Sequence, residues 1–165
     1  MKDKTDKRVR KTAKKESGHA VIEASLLAPW IFFLFIGVFD FGFYSYAAIA
    51  TQNAARIAAM QTSDNTKTAA DDVLACQYAV QELQMLPGIP KVTTLANTPA
   101  CPTATGGITN TFPLSVDAQS VTGPDGAPAT RVAVTYRTVQ LVPIPGLMTG
   151  RLQLTRVVEM RLKES

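Results

Sequence analysis

Histidine and cysteine are nearly missing from this 165-residue chain, which has one histidine, His19, and two cysteines, Cys76 and Cys101. A single histidine removes most catalytic triads and most imidazole-based metal centres. Two cysteines cannot build a disulfide-rich scaffold or a four-thiolate zinc site. No glycine-rich phosphate cradle occurs, and Gly106-Gly107 reads as a loop signal. Ten glycines and ten prolines exclude collagen-like sequence, and a hydrophobic share of 46% excludes wholesale disorder. The expectation is therefore a folded chain with no catalytic, cofactor-binding or metal-binding residue, not an enzyme.

Charge is scarce as well, at 18% of residues, and it is unevenly placed. Residues 1–17 hold eight basic side chains (Lys2, Lys4, Lys7, Arg8, Arg10, Lys11, Lys14 and Lys15) against Asp3, Asp6 and Glu16. The rest of the chain holds nine basic and ten acidic residues, so it is close to neutral. A nucleic-acid binder carries its basic footprint on the folded body. None is present there, and no nucleic-acid partner is expected.

From Ala24 to Phe39 there is no charge at all, and apolar character resumes after Asp40 as far as Ala50. A helix crosses the hydrocarbon core with about 20 apolar residues. Ala20 to Tyr44 meets that length, with Glu23 and Asp40 near its two ends. The basic flank before the span, against only Arg56 and Lys67 soon after it, orients the N-terminus toward the cytoplasm. The chain is expected to cross the inner membrane once, with its C-terminal domain outside, periplasmic or extracellular. Asp40 can anchor the outer interface beside Trp30, Tyr44 and Tyr46, or meet a partner helix.

Three textures follow along the chain: a basic leader over 1–18, expected to be unstructured, a long helix over 19–61 and an extracytoplasmic α+β domain over 62–165. Pro29 is tolerated within the helix as at most a kink. Ala20, Ala24 and Ala28, and then Ala47, Ala50, Ala54 and Ala58, recur at helical spacing. Such lines let backbones approach closely, and alanine is also simply a good helix former. The run TSDNTKT (62–68) breaks the helix. A second, amphipathic helix is expected over about 68–86, with Asp71 and Asp72 in its first turn and Val73, Cys76, Val80 and Leu83 on one face. Strands are expected near 112–121, 130–142 and 152–162, the last alternating Leu152, Leu154, Val158, Met160 and Leu162 with polar residues while Arg156 interrupts the apolar row. The fold class is α+β: a long N-terminal transmembrane helix, one amphipathic helix and about three antiparallel strands. Turn signals stand at Gly123-Pro124-Asp125-Gly126 and Pro143-Ile144-Pro145-Gly146.

The junction reads Ser17-Gly18-His19-Ala20-Val21-Ile22-Glu23-Ala24-Ser25-Leu26-Leu27. A glycine ends the basic leader, and a lone glutamate follows five residues later at the mouth of the apolar helix. This resembles the prepilin-peptidase site of type IV pilins and pseudopilins. The run Gly18 to Pro29, then Gly37, Asp40-Phe41-Gly42 and Asn53-Ala54-Ala55-Arg56-Ile57-Ala58, resembles the TadE-like minor pseudopilins of the tight-adherence (Flp, type IVb) pilus system. The resemblance implies cleavage after Gly18 with His19 as first mature residue, where phenylalanine is commoner. It implies that Glu23 recruits and registers subunits in the assembly. The implied partners are a prepilin peptidase, other pseudopilins, the major pilin, the inner-membrane assembly platform and membrane lipid, with no cofactor. Roles in initiating, capping or joining the filament all fit it.

Glu23 also invites a reading from physics alone. A carboxylate costs about 2.5–3.5 kcal/mol at the centre of a span and less near an end. A freed amine on His19, positively charged below a pKa of about 7.7–8.0, offsets that cost one helical turn away. The plainer alternative makes Glu23 an interfacial acid beside the basic flank. Cys76 and Cys101 face an oxidising compartment under this topology, and a disulfide between them is expected to add about 3 kcal/mol on the chain-entropy view. Two other functions remain open. One is an uncleaved membrane-anchored binding module. The other is an exported soluble protein cut after Ala50, in the A-x-A pattern of Ala48-Ile49-Ala50, although the apolar run exceeds the roughly 7–15 residues of a signal core.

Overall fold

The computed structural model describes residues 3–103, 107–109, 111–139 and 151–163, with side chains from residue 19 onward. Its elements are helix α1 (Asp3–Thr62), helix α2 (Asp72–Leu83), a single 3-10 turn (Leu95–Asn97) and strands β1 (Leu114–Thr122), β2 (Pro128–Arg137) and β3 (Gln153–Arg161). This is the α+β order expected: a long apolar helix, a short helix and a three-stranded antiparallel sheet. Helix α1 reaches back through the basic leader, for which composition predicts no structure. Lysine, arginine and alanine are good helix formers, and adding residues to an existing helix is far easier than nucleating one.

The chain divides into two compact units, residues 1–41 and 42–165. In the first, large apolar side chains point outward all round α1: Leu26, Trp30, Phe35, Val38 and Phe41 are each about 70% exposed. A helix that is apolar on every side finds no place in water except beneath other protein or within lipid. The segment from His19 is long and apolar enough to cross a membrane.

In the second unit, the end of α1 becomes one wall of a core. Ala47, Thr51, Ala54, Ala55, Ala58, Ala59 and Thr62 are fully buried, and they recur at the three- and four-residue steps of one helix face. Thr51 and Thr62 bury their hydroxyls by donating to the Ala47 and Ala58 carbonyls of their own helix, at 2.7 and 3.0 Å. After Thr62 the Asn65 side chain accepts from the backbone N–H groups of Lys67 and Thr68, which fixes the turn.

Asp71 sits one position before α2 as its N-cap, its carboxylate accepting from the Leu74 N–H at 2.9 Å. The helix buries Ala75, Cys76, Ala79, Val80 and Leu83. Val73, expected among them, stands 63% exposed. A helix advances about 100° per residue, so residues seven apart lie within about 20° of each other, and Val73 shares the side of buried Val80 but sits in the exposed first turn. Pro87-Gly88 follows the helix as expected. Gly88 has φ of +83°, and a Cβ there would come within 2.9 Å of Pro113.

The sheet order is β1-β2-β3, with Val116 opposite Val134 and Val132 opposite Val158. Its inward face carries Leu114, Val116 and Ala118 from β1, Val132, Val134 and Tyr136 from β2 and Leu154 from β3, in one cluster with the alanines of α1 and the buried face of α2. Gly126, with φ of +79°, closes the β1–β2 turn by donating to the Gly123 carbonyl. The Pro143–Gly146 turn signal and the end of the expected second strand lie outside the described residues. Thr130 donates to the Ala69 carbonyl at 2.7 Å and lies 3.1 Å from the Thr62 hydroxyl, while the Lys163 N–H donates to the Ser63 carbonyl. These bonds tie the strand ends to the end of α1.

Candidate functional site

The N-terminal junction is where sequence places the most specific chemistry, and the backbone gives it a regular helical frame. Gly18, His19 and Glu23 all fall within α1, with no break between leader and span. Residues four apart on a helix share a face, so His19 and Glu23 stand one above the other. Both are exposed, as are Ala20, Ala24 and Ala28 on the neighbouring line. Ser25 donates to the Ile22 carbonyl at 2.8 Å, which satisfies its hydroxyl locally and leaves Glu23 as the polar group at the mouth of the span. An exposed carboxylate at the start of an otherwise apolar surface is available to a cation on a neighbouring helix.

Asp40 lies toward the far end of the apolar stretch. It is only 1% exposed, and its Oδ2 has no hydrogen-bond partner among the described residues. Nor do the aromatic residues form one belt. Trp30 is 71% exposed within the apolar stretch, and Tyr46 is half exposed. Tyr44 packs against the second unit's core.

Cys76 and Cys101 form a disulfide with Cα atoms 5.7 Å apart. It ties α2 to the loop that runs along β1. There the Val116 N–H donates to the Pro102 carbonyl at 3.0 Å, and the Ala118 N–H donates to the Asp72 carboxylate at 2.6 Å. The helix dipole explains Asp72 from sequence; its second role, as a cap on the strand's outward edge, has no local signal. A cavity of about 310 Å³ beside the disulfide is lined by Asp72, Val73, Gln77, Thr98 and Pro99. Among the described residues no group of three or more histidine, cysteine or carboxylate side chains is gathered as a metal site would need.

Comparison with known proteins bears on the same segment. Residues 18–60 match the family model described as TadE-like protein, the family that the junction and the helix resemble in sequence. The matched stretch begins at Gly18 and ends within the last turn of α1, so it takes in the junction, the apolar segment and the buried alanine face. The chain has no significant match among curated proteins or among solved structures.

Proposed function

We propose that this chain is a minor pseudopilin that takes part in assembly of a tight-adherence type IVb pilus. In this reading it is inserted in the bacterial inner membrane with its N-terminus cytoplasmic, and a prepilin peptidase cuts it after Gly18. It acts without catalysis, by packing its helix against other pseudopilins, the major pilin and the inner-membrane platform. The observation that carries the proposal is the junction itself. Gly18, His19 and Glu23 stand at the start of the stretch of α1 whose apolar side chains face outward all round, and this stretch falls inside the match to the TadE-like family.

Cleavage gives Glu23 its partner. A new α-amine on His19 lies one turn from the carboxylate of its own or a neighbouring subunit. Two opposite charges brought together in low dielectric attract strongly and lose less by leaving water than either does alone. A subunit in the wrong register leaves both unpaired, so the pair selects one axial position. Release as a soluble protein after Ala50 fits the packing poorly. That cut falls in mid-helix between Ala47 and Thr51, both fully buried in the core.

The test is assembly of filaments by Glu23→Ala and Glu23→Gln variants in cells. The expected result is loss of pili with membrane insertion intact. Normal assembly by both variants would rule out a registering role for the carboxylate.

A further inference from the structure

The two edges of the sheet are treated differently. On β1, the outward N–H groups of Val116 and Ala118 are taken by the Pro102 carbonyl and the Asp72 carboxylate. On β3, the Leu162 N–H donates to the Pro128 carbonyl and the Leu152 carbonyl accepts from Thr138, so even-numbered residues bond toward β2. The N–H and C=O groups of Thr155, Val157 and Glu159 therefore point away from the sheet. Among the described residues nothing takes them. Proteins commonly blunt or cover such an edge.

Beside this edge runs a groove between β3 and the outer side of α1. The inward row of β3 is fully buried at Leu154 but only half-buried at Arg156, Val158 and Met160. Across from it, Ile49 is 64% exposed and Met60 48%. Two shallow cavities of about 300 and 350 Å³ lie along the groove, one against Arg156, the other between Met60 and Met160. Arg156 is the anomaly in the row. No carboxylate among the described residues pairs with it, and the helix residues lining its cavity, Ala48, Ile49, Gln52 and Asn53, carry no charge. Arg56, one turn beyond Gln52, adds a second cation on the same wall.

We propose that β3 accepts an extended segment of a partner protein as a fourth strand, with a carboxylate set against Arg156 and apolar side chains against Val158 and Met160. The open backbone edge supplies affinity and the groove supplies specificity, as in strand addition generally. An anionic lipid headgroup would answer the two arginines but leave the row of N–H and C=O groups unmet. The β1 edge of a second copy is already occupied by Pro102 and Asp72, so it is not the added strand. Strand addition at β3 does not depend on processing at Gly18.

Two capped nonapeptides serve as probes for the full-length protein in phosphatidylcholine nanodiscs. Both alternate threonine with valine, and one valine is replaced by glutamate in the first and by lysine in the second. The glutamate peptide is expected to bind at least about tenfold tighter, the scale of one charge-assisted contact. It should slow hydrogen exchange at the Thr155, Val157 and Glu159 amides. Arg156→Glu should reverse the preference. Val157→Pro should abolish binding while leaving thermal unfolding nearly unchanged, because the N–H it removes points outward and proline is tolerated on such an edge. Equal affinity for the two peptides, absence of protection at the three amides, or undiminished binding by Val157→Pro would each overturn the proposal. So would Arg156-dependent binding of phosphatidylglycerol vesicles with neither peptide protecting the edge, which would assign the groove to lipid.

Discussion

Tyr136 sits on the central strand with its side chain fully buried and its hydroxyl donating to the Pro87 carbonyl at 2.9 Å. Burial disfavours the phenolate and pushes its pKa from 10.0 up to about 12. The folded state therefore holds this proton after the unfolded chain has lost it. The stabilisation is whole below pH 10 and is lost as pH rises toward 12, by roughly 2–3 kcal/mol for a shift of this size. Tyr136→Phe should remove that part of the alkaline destabilisation. At neutral pH it should cost about 1–2 kcal/mol through the unpaired Pro87 carbonyl. Unfolding followed by near-UV circular dichroism between pH 8 and 12 measures both effects, and identical alkaline slopes in the two proteins would contradict the assignment.

Among the elements, α1 changes character along its length. Before Gly42 its apolar side chains face outward on every side, and from Ala47 onward its small residues face a sheet. The alanine line at 47, 54 and 58 is visible in the sequence, but not the surface it meets. Spacing reveals a face without revealing its neighbour, and the strands that share its core begin only at Leu114. The same limit explains Asp72, whose carboxylate reaches a strand 46 residues on. Local signals fare better. Asp71 at the head of α2, Pro87-Gly88 after it and the alternation in β3 each carry their meaning in adjacent residues. Val73 lines up with Val80 yet stands exposed, because spacing shows which residues share a side and not how far along the helix the core reaches. The close fit at the alanines makes a direct prediction. Ala58→Leu should overpack the core and destabilise the second unit by about 1–3 kcal/mol, whereas Gln61→Leu, at an exposed position on the same helix, should change stability by less than about 0.5 kcal/mol. Thermal unfolding of the full chain in detergent distinguishes them, and equal melting temperatures would mean that α1 does not line the core.

For the whole molecule, the sequence divides its labour between a segment long and apolar enough to cross a membrane and a small disulfide-tied domain. The order of elements and the apolar span are legible without the structure because each rests on composition or periodicity over a local stretch, and the cysteine pairing because only two cysteines stand beyond the span. The proposed role of the molecule rests on the junction, and one cut tests it. Mass spectrometry of the mature N-terminus, on protein taken from its native membrane with and without a functional prepilin peptidase, tests this most directly. The predicted result is a start at His19 that depends on the peptidase. A leader left intact in the presence of the enzyme would contradict it and leave a plain anchored domain, and a start at Thr51 would contradict it by making the chain a soluble export.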